Sequence, residues 1–154
     1  MDFINYIGYY GPVILILVNI YALIQYPQHL YLYLPFLFMN DIIFNPALKL
    51  LVKDPRPIGY QKSIGIDNHN IYTNAHIYGM PSGHAQSSFF SSVYLWLVTG
   101  SMGYLLSGLF IASITVYQRW RDKRHTIQQL SFGAIVGTLF AYGSYYMLSK
   151  KILQ

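Results

Sequence analysis

The sequence predicts an all-α, multi-pass transmembrane helix bundle, a single domain over residues 1–154 with about five spanning helices. The first observation is composition: 54% of the residues are hydrophobic and only 10% are charged, which is too apolar for a typical soluble domain. The second is that long uncharged runs recur along the chain. The third is that polar residues within these runs recur at helical spacing. We therefore expect an integral membrane protein.

The residue types that are missing exclude several classes of function. The chain has no cysteine, so it has neither disulfides nor a thiolate zinc site. It has no glutamate, and its five aspartates are scattered, whereas a two-metal phosphatase needs clustered carboxylates. The net charge of +5 forms no surface patch outside the helix ends, which argues against nucleic acid and favours anionic lipid or phosphate as the partner. We expect no metal and no cofactor.

The first two predicted helices cover residues 9–26 and 30–53, and the two prolines of the second can kink a membrane helix without ending it. Asp41, Asn45 and Lys49 recur every four residues on the second helix and form one polar stripe. Polar groups at membrane depth usually face the bundle interior. The stripe is therefore either a structural seam between helices or part of a site, and we favour the site for all three residues.

Residues 54–81 are predicted to be an extramembrane loop. The segment is rich in Asn, Gly, Pro and His and shows no sustained periodicity, and a loop of this length is usually either functional or disordered. Asp67, His69 and His76 do not have the spacing of a tetrahedral metal site, so we interpret them as surface residues.

The stretch that closes this loop, Gly79-Met80-Pro81-Ser82-Gly83-His84, has the features of a phosphate cradle. The apolar run behind it predicts a helix over residues 84–99, and a helix start carries unpartnered N–H groups and partial positive charge. Ser82 adds a hydroxyl, Gly83 lets the backbone approach a ligand, and His84 adds a titratable proton donor. The alternative is an ordinary loop-to-helix junction in which Ser82 caps the helix.

The rest of the chain predicts two helices, over residues 104–118 and 127–148, joined by a very basic link. The link, residues 119–125, contains four Arg or Lys and one Asp and is framed by Arg119 and His125. A charge run is often only a solvated helix end near lipid headgroups, but that does not explain the framing Arg and His. In the last helix, three small residues spaced four apart predict a face for close helix packing.

Helix counting places three of these stretches at one membrane face. The second helix runs towards that face, the third leaves from it and the fourth returns to it. The segment from Lys49 to Arg56, the helix start at Ser82 and the basic link therefore converge on one pocket at the membrane surface.

The chemistry expected of this pocket is phosphoryl transfer, which depends mainly on positioning and charge stabilisation. Arg suits bidentate contact with phosphate, and Lys serves as a point charge. A nucleophile and a proton donor are also needed, and His84 and His125 fit, in an order that the residues alone leave open. The expected phosphate-binding residues are Lys49, Arg56, Ser82, Gly83 and Arg119.

Taken in order, these motifs resemble the signature of the type 2 phosphatidic acid phosphatase superfamily, whose members are metal-free phosphatases that act mostly on membrane lipid phosphates. The three motifs are the Lys and Arg-Pro of residues 49–57, the Pro-Ser-Gly-His that ends at His84, and the Arg and His of the basic link. The resemblance implies that His125 is the nucleophile, which forms a phospho-histidine, and that His84 protonates the leaving oxygen.

One position departs from the general family pattern, which has an Asp four residues after the nucleophilic His. Here that residue is Gln129, one helical turn from His125. Its amide oxygen can accept a hydrogen bond from the ring nitrogen that carries the proton, and this bond would orient the imidazole. Gln at this position, together with Gly79-Met80-Pro81-Ser82 and Gln86, resembles the dolichyl-diphosphatase branch. That resemblance implies a phosphatase for a polyprenyl diphosphate.

Three other functions share some of these features. A broad lipid-phosphate phosphatase, acting on phosphatidic acid for example, would carry every motif. A transferase that moves a phosphate-bearing headgroup between lipids would need a second acceptor pocket. A non-catalytic membrane scaffold would keep the helices but would have no reason to keep both histidines and the cationic residues.

The distribution of Lys and Arg and the family resemblance predict opposite orientations of the protein in the membrane. Eight of the ten Lys and Arg lie on the active-site face, three of them motif residues, and the positive-inside rule places the richer side in the cytoplasm. The dolichyl-diphosphatase resemblance implies the lumenal side of the endoplasmic reticulum membrane. We follow the resemblance.

Overall fold

The computed structural model describes residues 3–59 and 75–152, with side chains up to residue 147. The described residues form five helical rods, as predicted, and the second rod consists of two α-helices joined by π-helical turns. Residues 60–74 of the predicted loop, with Asp67 and His69, lie outside the described residues. In chain order the helices are α1 Phe3–Leu23, α2 Pro27–Phe38, the π-helical turns Met39–Phe44, α3 Asn45–Val52, α4 Gly83–Thr99, α5 Met102–Arg121 and α6 Ile127–Ile152.

The π-helical turns in the second rod change the predicted polar stripe. Pro46 has no N–H and so cannot donate a hydrogen bond within the helix. The N–H of Asn45, just before it, donates to the carbonyl oxygen of Asn40, five residues back rather than the usual four. The extra residue per turn brings Asn40 into the interior, where it is fully buried together with Asn45 and Lys49. Asp41, which the four-residue spacing placed on the stripe, is half-buried and lines the same cavity as Asn45 and Lys49.

The helix α4 lies at the centre of the bundle and packs against α6, α5 and α1. Its closest neighbour is α6, where Gly133 and Gly137 face the backbone of α4 at Ser82 and Gln86. The small-residue face predicted from the sequence is thus the face that allows α4 and α6 to approach. Farther from the site, stacked and tilted aromatic rings fill the core.

The distribution of polar and apolar side chains is that of a bundle surrounded by lipid. By length and composition, Phe3–Leu23 and the second rod, Pro27–Val52, can each cross a membrane. The outer helices expose large apolar side chains such as Leu17, Phe110 and Leu139, whereas α4 carries its buried serines and glutamine inside the bundle. Lipid solvates the apolar surface, and the interior supplies partners for the polar groups.

The close approach of α4 and α6 predicts that Gly137→Ala destabilises the protein by about 1–3 kcal/mol, because a Cβ at this position would overlap the backbone of Gln86. Gly143→Ala in the same helix is the matched control, since its Cβ would meet no described residue within 4 Å apart from its chain neighbours and the backbone of its own helix. That variant should be neutral or stabilising by up to about 1 kcal/mol. The measurement is the unfolding midpoint in detergent, and equal midpoints for the two variants would contradict the packing argument.

Candidate active site

One end of the bundle contains a cavity of about 280 Å³ between α1, the second rod, the start of α4, the end of α5 and the link to α6. Two predicted site residues lie just behind its wall: Ser82 precedes Gly83, and Gln129 is hydrogen-bonded to His125. The structure therefore brings together the three stretches that helix counting assigned to one face. The predicted site residues that line the cavity are Lys49, Arg56, Gly83, His84, Arg119 and His125.

Three cationic side chains give the cavity its charge. Lys49, in the last turn of α3, and Arg119, in the last turn of α5, are 6% and 1% exposed. Arg56 is half-buried, and its Nε and Nη1 donate to the carbonyl oxygens of His76 and Arg124 at 3.1 and 3.3 Å, which ties the loop to the basic link. The cavity is lined by these three cations and by one carboxylate, that of Asp41, so its lining is positive on balance and favours an anionic ligand.

The start of α4 has the groups needed to bind an oxyanion. Ser82 occupies the N-cap position, but its side chain makes no capping hydrogen bond, so the simple capping interpretation is wrong. Its hydroxyl is fully buried and has no hydrogen-bond partner among the described residues. The N–H groups of the first turn, beside the cavity-lining Gly83, have no acceptor within the helix. A buried hydroxyl next to a helix N-terminus is suited to a phosphate oxygen.

His84 and Arg119 are in contact at the cavity. The guanidinium Nη2 of Arg119 donates to Nε2 of His84, and the guanidinium also lies over the ring of Tyr9, with 5.3 Å between its central carbon and the ring centre. In this arrangement Nε2 of His84 is an acceptor. The imidazole can donate a proton from Nε2 only after Arg119 turns away from it, for example towards a bound anion.

His125 is buried and held by its neighbour on α6. Its Nδ1 lies 3.2 Å from Oε1 of Gln129, so Nδ1 carries the proton and donates, which leaves Nε2 with a free electron pair. Burial lowers the pKa of His125 well below its ordinary value, and the positive charges of Arg56, Lys49 and Arg119 lower it further. The ring is therefore neutral at neutral pH.

The position of Gln129 is fixed by a capping box at the start of α6. The N–H of Gln129 donates to Oγ1 of Thr126, and the N–H of Thr126 donates to Oε1 of Gln129, both at 3.2 Å. The sequence carries this signal as Thr126-Ile127-Gln128-Gln129, a Thr followed three residues later by Gln, which the sequence-based expectations missed.

Buried amides form a seam between the second rod and α4. Nε2 of Gln86 donates to Oδ1 of Asn40 at 2.9 Å, and Nδ2 of Asn45 donates to Oε1 of Gln86 at 2.9 Å. Asn45 also donates to the carbonyl oxygen of Pro81 at 3.3 Å and lines the cavity. The structural interpretation of the polar stripe therefore holds for Asn45, while Lys49 beyond it belongs to the cavity wall. Tyr9 and Asn40 were not predicted to contribute.

Comparison with known proteins identifies the family. Residues 30–153 match the family model of the PAP2 superfamily. The chloroplastic lipid phosphate phosphatase epsilon 1 of Arabidopsis thaliana is 44% identical over 84 residues, which cover 49% of this chain and 30% of that protein. Epsilon 2 of the same plant is 30% identical over 125 residues, covering 75% and 39%. The dolichyldiphosphatase of Saccharomyces cerevisiae is 27% identical over 118 residues, covering 68% and 47%.

The chain spans less than half the length of each of these three relatives. No solved structure shows a significant match to it. The family match covers most of the chain and includes all three motifs that meet at the cavity. The chain is therefore a member of the PAP2 superfamily.

Proposed function

We propose that this protein is a metal-free phosphatase for a membrane lipid phosphate, and that it hydrolyses a polyprenyl diphosphate to the monophosphate through a phospho-histidine. The observation that carries the proposal is the cavity in which His125, with a free electron pair on Nε2, shares the wall with His84 and three cations. Family membership and the names of the relatives point to the same class of reaction.

In the first step, Nε2 of His125 attacks the terminal phosphorus, and the bond from phosphorus to the leaving oxygen breaks. Lys49, Arg56 and Arg119 neutralise the phosphoryl oxygens as charge shifts, together with the N–H groups at the start of α4. When Arg119 turns to the phosphate, it releases Nε2 of His84, which takes up a proton from solvent and then supplies it to the leaving oxygen.

In the second step, water attacks the phospho-histidine. His84 accepts the proton of that water, the bond between phosphorus and nitrogen breaks, and its electron pair returns to Nε2 of His125. Inorganic phosphate leaves, His84 returns its proton to solvent, and both histidines recover their starting states. The chain's own side chains and amides provide the charge stabilisation throughout.

The shape of the cavity favours a lipid substrate. Pro12, Val13 and Ile16 of α1 and Ile42 of the second rod line the same cavity as the cations. The charged end fits the phosphate groups, and the apolar wall fits the first carbons of a chain that continues into the membrane.

The choice of a polyprenyl diphosphate rests on Gln129 and on the dolichyldiphosphatase among the relatives. The same resemblance leads us to propose the endoplasmic reticulum membrane with a lumenal active site. A second candidate, a lipid-phosphate phosphatase of broader specificity, is favoured by the two plant relatives, which are the more similar in sequence.

Substrate comparison tests both candidates. Purified protein in detergent should release phosphate faster from dolichyl diphosphate than from phosphatidic acid, and only slowly from inorganic pyrophosphate, which lacks a chain for the apolar wall. His125→Ala should abolish release from all three. A preference for phosphatidic acid would favour the broader phosphatase, and equal rates with pyrophosphate would contradict a lipid substrate.

Activity should persist in excess EDTA and should be inhibited by vanadate, because side chains and amides bind the phosphate and vanadate resembles its transition state. The measurement is the initial rate of phosphate release before and after dialysis against chelator. Loss of activity that magnesium restores would overturn the metal-free mechanism.

The pH dependence should reflect the cations around His125. Because its pKa lies below the ordinary value of a histidine, the ring stays neutral and reactive into mildly acidic solution, and kcat/KM should fall only at lower pH. Arg56→Gln removes one positive charge, which raises the pKa of His125 and should move the acid limb of kcat/KM to higher pH.

Arg121→Gln is the control for this shift, since Arg121 is exposed at the same face and does not line the cavity. The ionisation of the substrate affects the wild type and both variants equally. Differences between their acid limbs of kcat/KM therefore reflect ionisation of groups on the enzyme. An acid limb that does not move in Arg56→Gln would show that Arg56 does not act on the charge of His125.

A further inference from the structure

We infer that Asp54 is a positioning residue for His125 and that it acts through the side-chain amide of Gln129. The inference rests on the proposed function, since it assigns Asp54 a role in orienting the proposed nucleophile. The observation that carries it is a hydrogen-bonded chain from the Asp54 carboxylate through Gln129 to the imidazole.

The two ends of the Gln129 amide have different partners. Oε1 lies 3.2 Å from Nδ1 of His125 and accepts from the N–H of Thr126 at 3.2 Å. Nε2 donates to Oδ2 of Asp54 and to the carbonyl oxygen of Pro55, the latter at 2.8 Å. A rotated amide would place NH₂ against the N–H of Thr126 and its oxygen against the oxygen atoms of Asp54 and Pro55, so these three contacts, none of which involves the ring, permit one orientation only.

The orientation of the amide decides the tautomer of His125. With Oε1 towards the ring, Nδ1 must donate, and Nε2 keeps the electron pair that attacks phosphorus. The other two contacts of the amide involve main-chain groups of Thr126 and Pro55, which cannot change without a change of fold. Within the described part of the chain, Asp54 is the one side chain that holds the NH₂ end, and its charge makes this the strongest of the four contacts.

Asp54 also polarises the amide. A carboxylate that accepts from Nε2 draws positive charge to the NH₂ group and increases the negative charge on Oε1, which strengthens the bond from Nδ1 of His125. The carboxylate that the general family pattern places directly beside the histidine is thus one amide farther away here and belongs to the segment after α3.

The backbone around Asp54 holds its carboxylate beside the amide of Gln129. Asp54 follows Lys53, whose left-handed conformation ends α3, and the carbonyl oxygen of Asp54 accepts from the N–H of Gly79 at 2.8 Å. Gly79 lies flat against the Gln129 amide, where a Cβ would overlap the amide atoms. The absence of a side chain at this position lets the three segments meet.

A double-mutant cycle tests whether Asp54 acts through Gln129. Gln129→Leu should lower turnover by roughly 10²-fold or more, and Asp54→Ala by about 10-fold or more, since each removes a link in the chain. In the Gln129→Leu background, Asp54→Ala should have little further effect, because the residue through which it acts is already gone. Additive losses, or wild-type turnover in Asp54→Ala, would overturn the inference.

Conservative and control variants separate positioning from folding. Asp54→Asn keeps an oxygen acceptor for Nε2 and should recover much of the turnover. Asp122→Ala removes a carboxylate that accepts from Nε2 of Gln118 at 2.7 Å at the same face, and it should keep wild-type turnover. If Asp54→Ala does not fold, the cycle is run with Asp54→Asn, whose smaller loss must also vanish in the Gln129→Leu background.

A spectroscopic measurement separates this inference from the proposed function. In protein labelled with ¹⁵N-histidine, with the His125 signals assigned by their loss in His125→Asn, Nε2 of the wild type should have the shift of an unprotonated nitrogen. Asp54→Ala should show a mixture of tautomers. A wild-type protein that is inactive on every substrate but shows this change would overturn only the proposed function, and an unchanged tautomer would overturn the role of Asp54.

Discussion

A backbone hydrogen bond joins the two halves of the candidate site: the N–H of Ser82 donates to the carbonyl oxygen of Gln129 at 3.1 Å. It holds the start of α4, whose first N–H groups have no acceptor within the helix, beside the first turn of α6, which follows the proposed nucleophile. The contact depends on Gly133, because a Cβ there would lie 2.6 Å from the carbonyl oxygen of Ser82. The phosphate cradle and His125 come from distant parts of the sequence, so helix packing sets their separation, and rigid elements position reacting groups better than loops do.

The second constraint is that buried polar groups in lipid must find partners within the protein. Asn40, Asn45 and Gln86 satisfy one another, and by doing so they fix the rotation of the second rod, which directs Lys49 into the cavity. In a regular α-helix, side chains five residues apart point about 140° away from each other. The π-helical turns reduce that angle, so Asn40 and Asn45 can both reach Gln86.

The sequence predicted the helical rods, the face at which the three motifs meet and six of the residues that line the cavity, because these follow from apolar periodicity, helix count and motif chemistry. It did not predict the π-helical turns, since a proline at position 46 produces them only where contacts with a neighbouring helix stabilise the wider turn. Here those contacts are the hydrogen bonds of Asn40 and Asn45 with Gln86. The sequence identified Asp54 only as the first residue of a loop. Its contact with Gln129 joins segments that are far apart in the chain, and no local sequence pattern indicates such a contact. The capping box at Thr126 was readable, but its role in fixing the Gln129 amide became visible only with the partners of both amide ends.

The charges of the site show what the replacement of Asp by Gln at position 129 achieves. Burial, together with the positive charges of Lys49, Arg56 and Arg119, lowers the pKa of His125 and keeps its imidazole neutral, as the proposed attack on phosphorus requires. A carboxylate in contact with the ring would oppose this by raising the proton affinity of His125, and it would compete with the substrate for the same cations. A neutral Gln supplies the acceptor without either effect. The negative charge lies on Asp54 instead, one hydrogen bond farther from the ring, where it polarises the amide but acts less directly on the cavity. In the proposed mechanism, orientation of the nucleophile and stabilisation by charge are thus divided between two residues, where a single Asp would combine them.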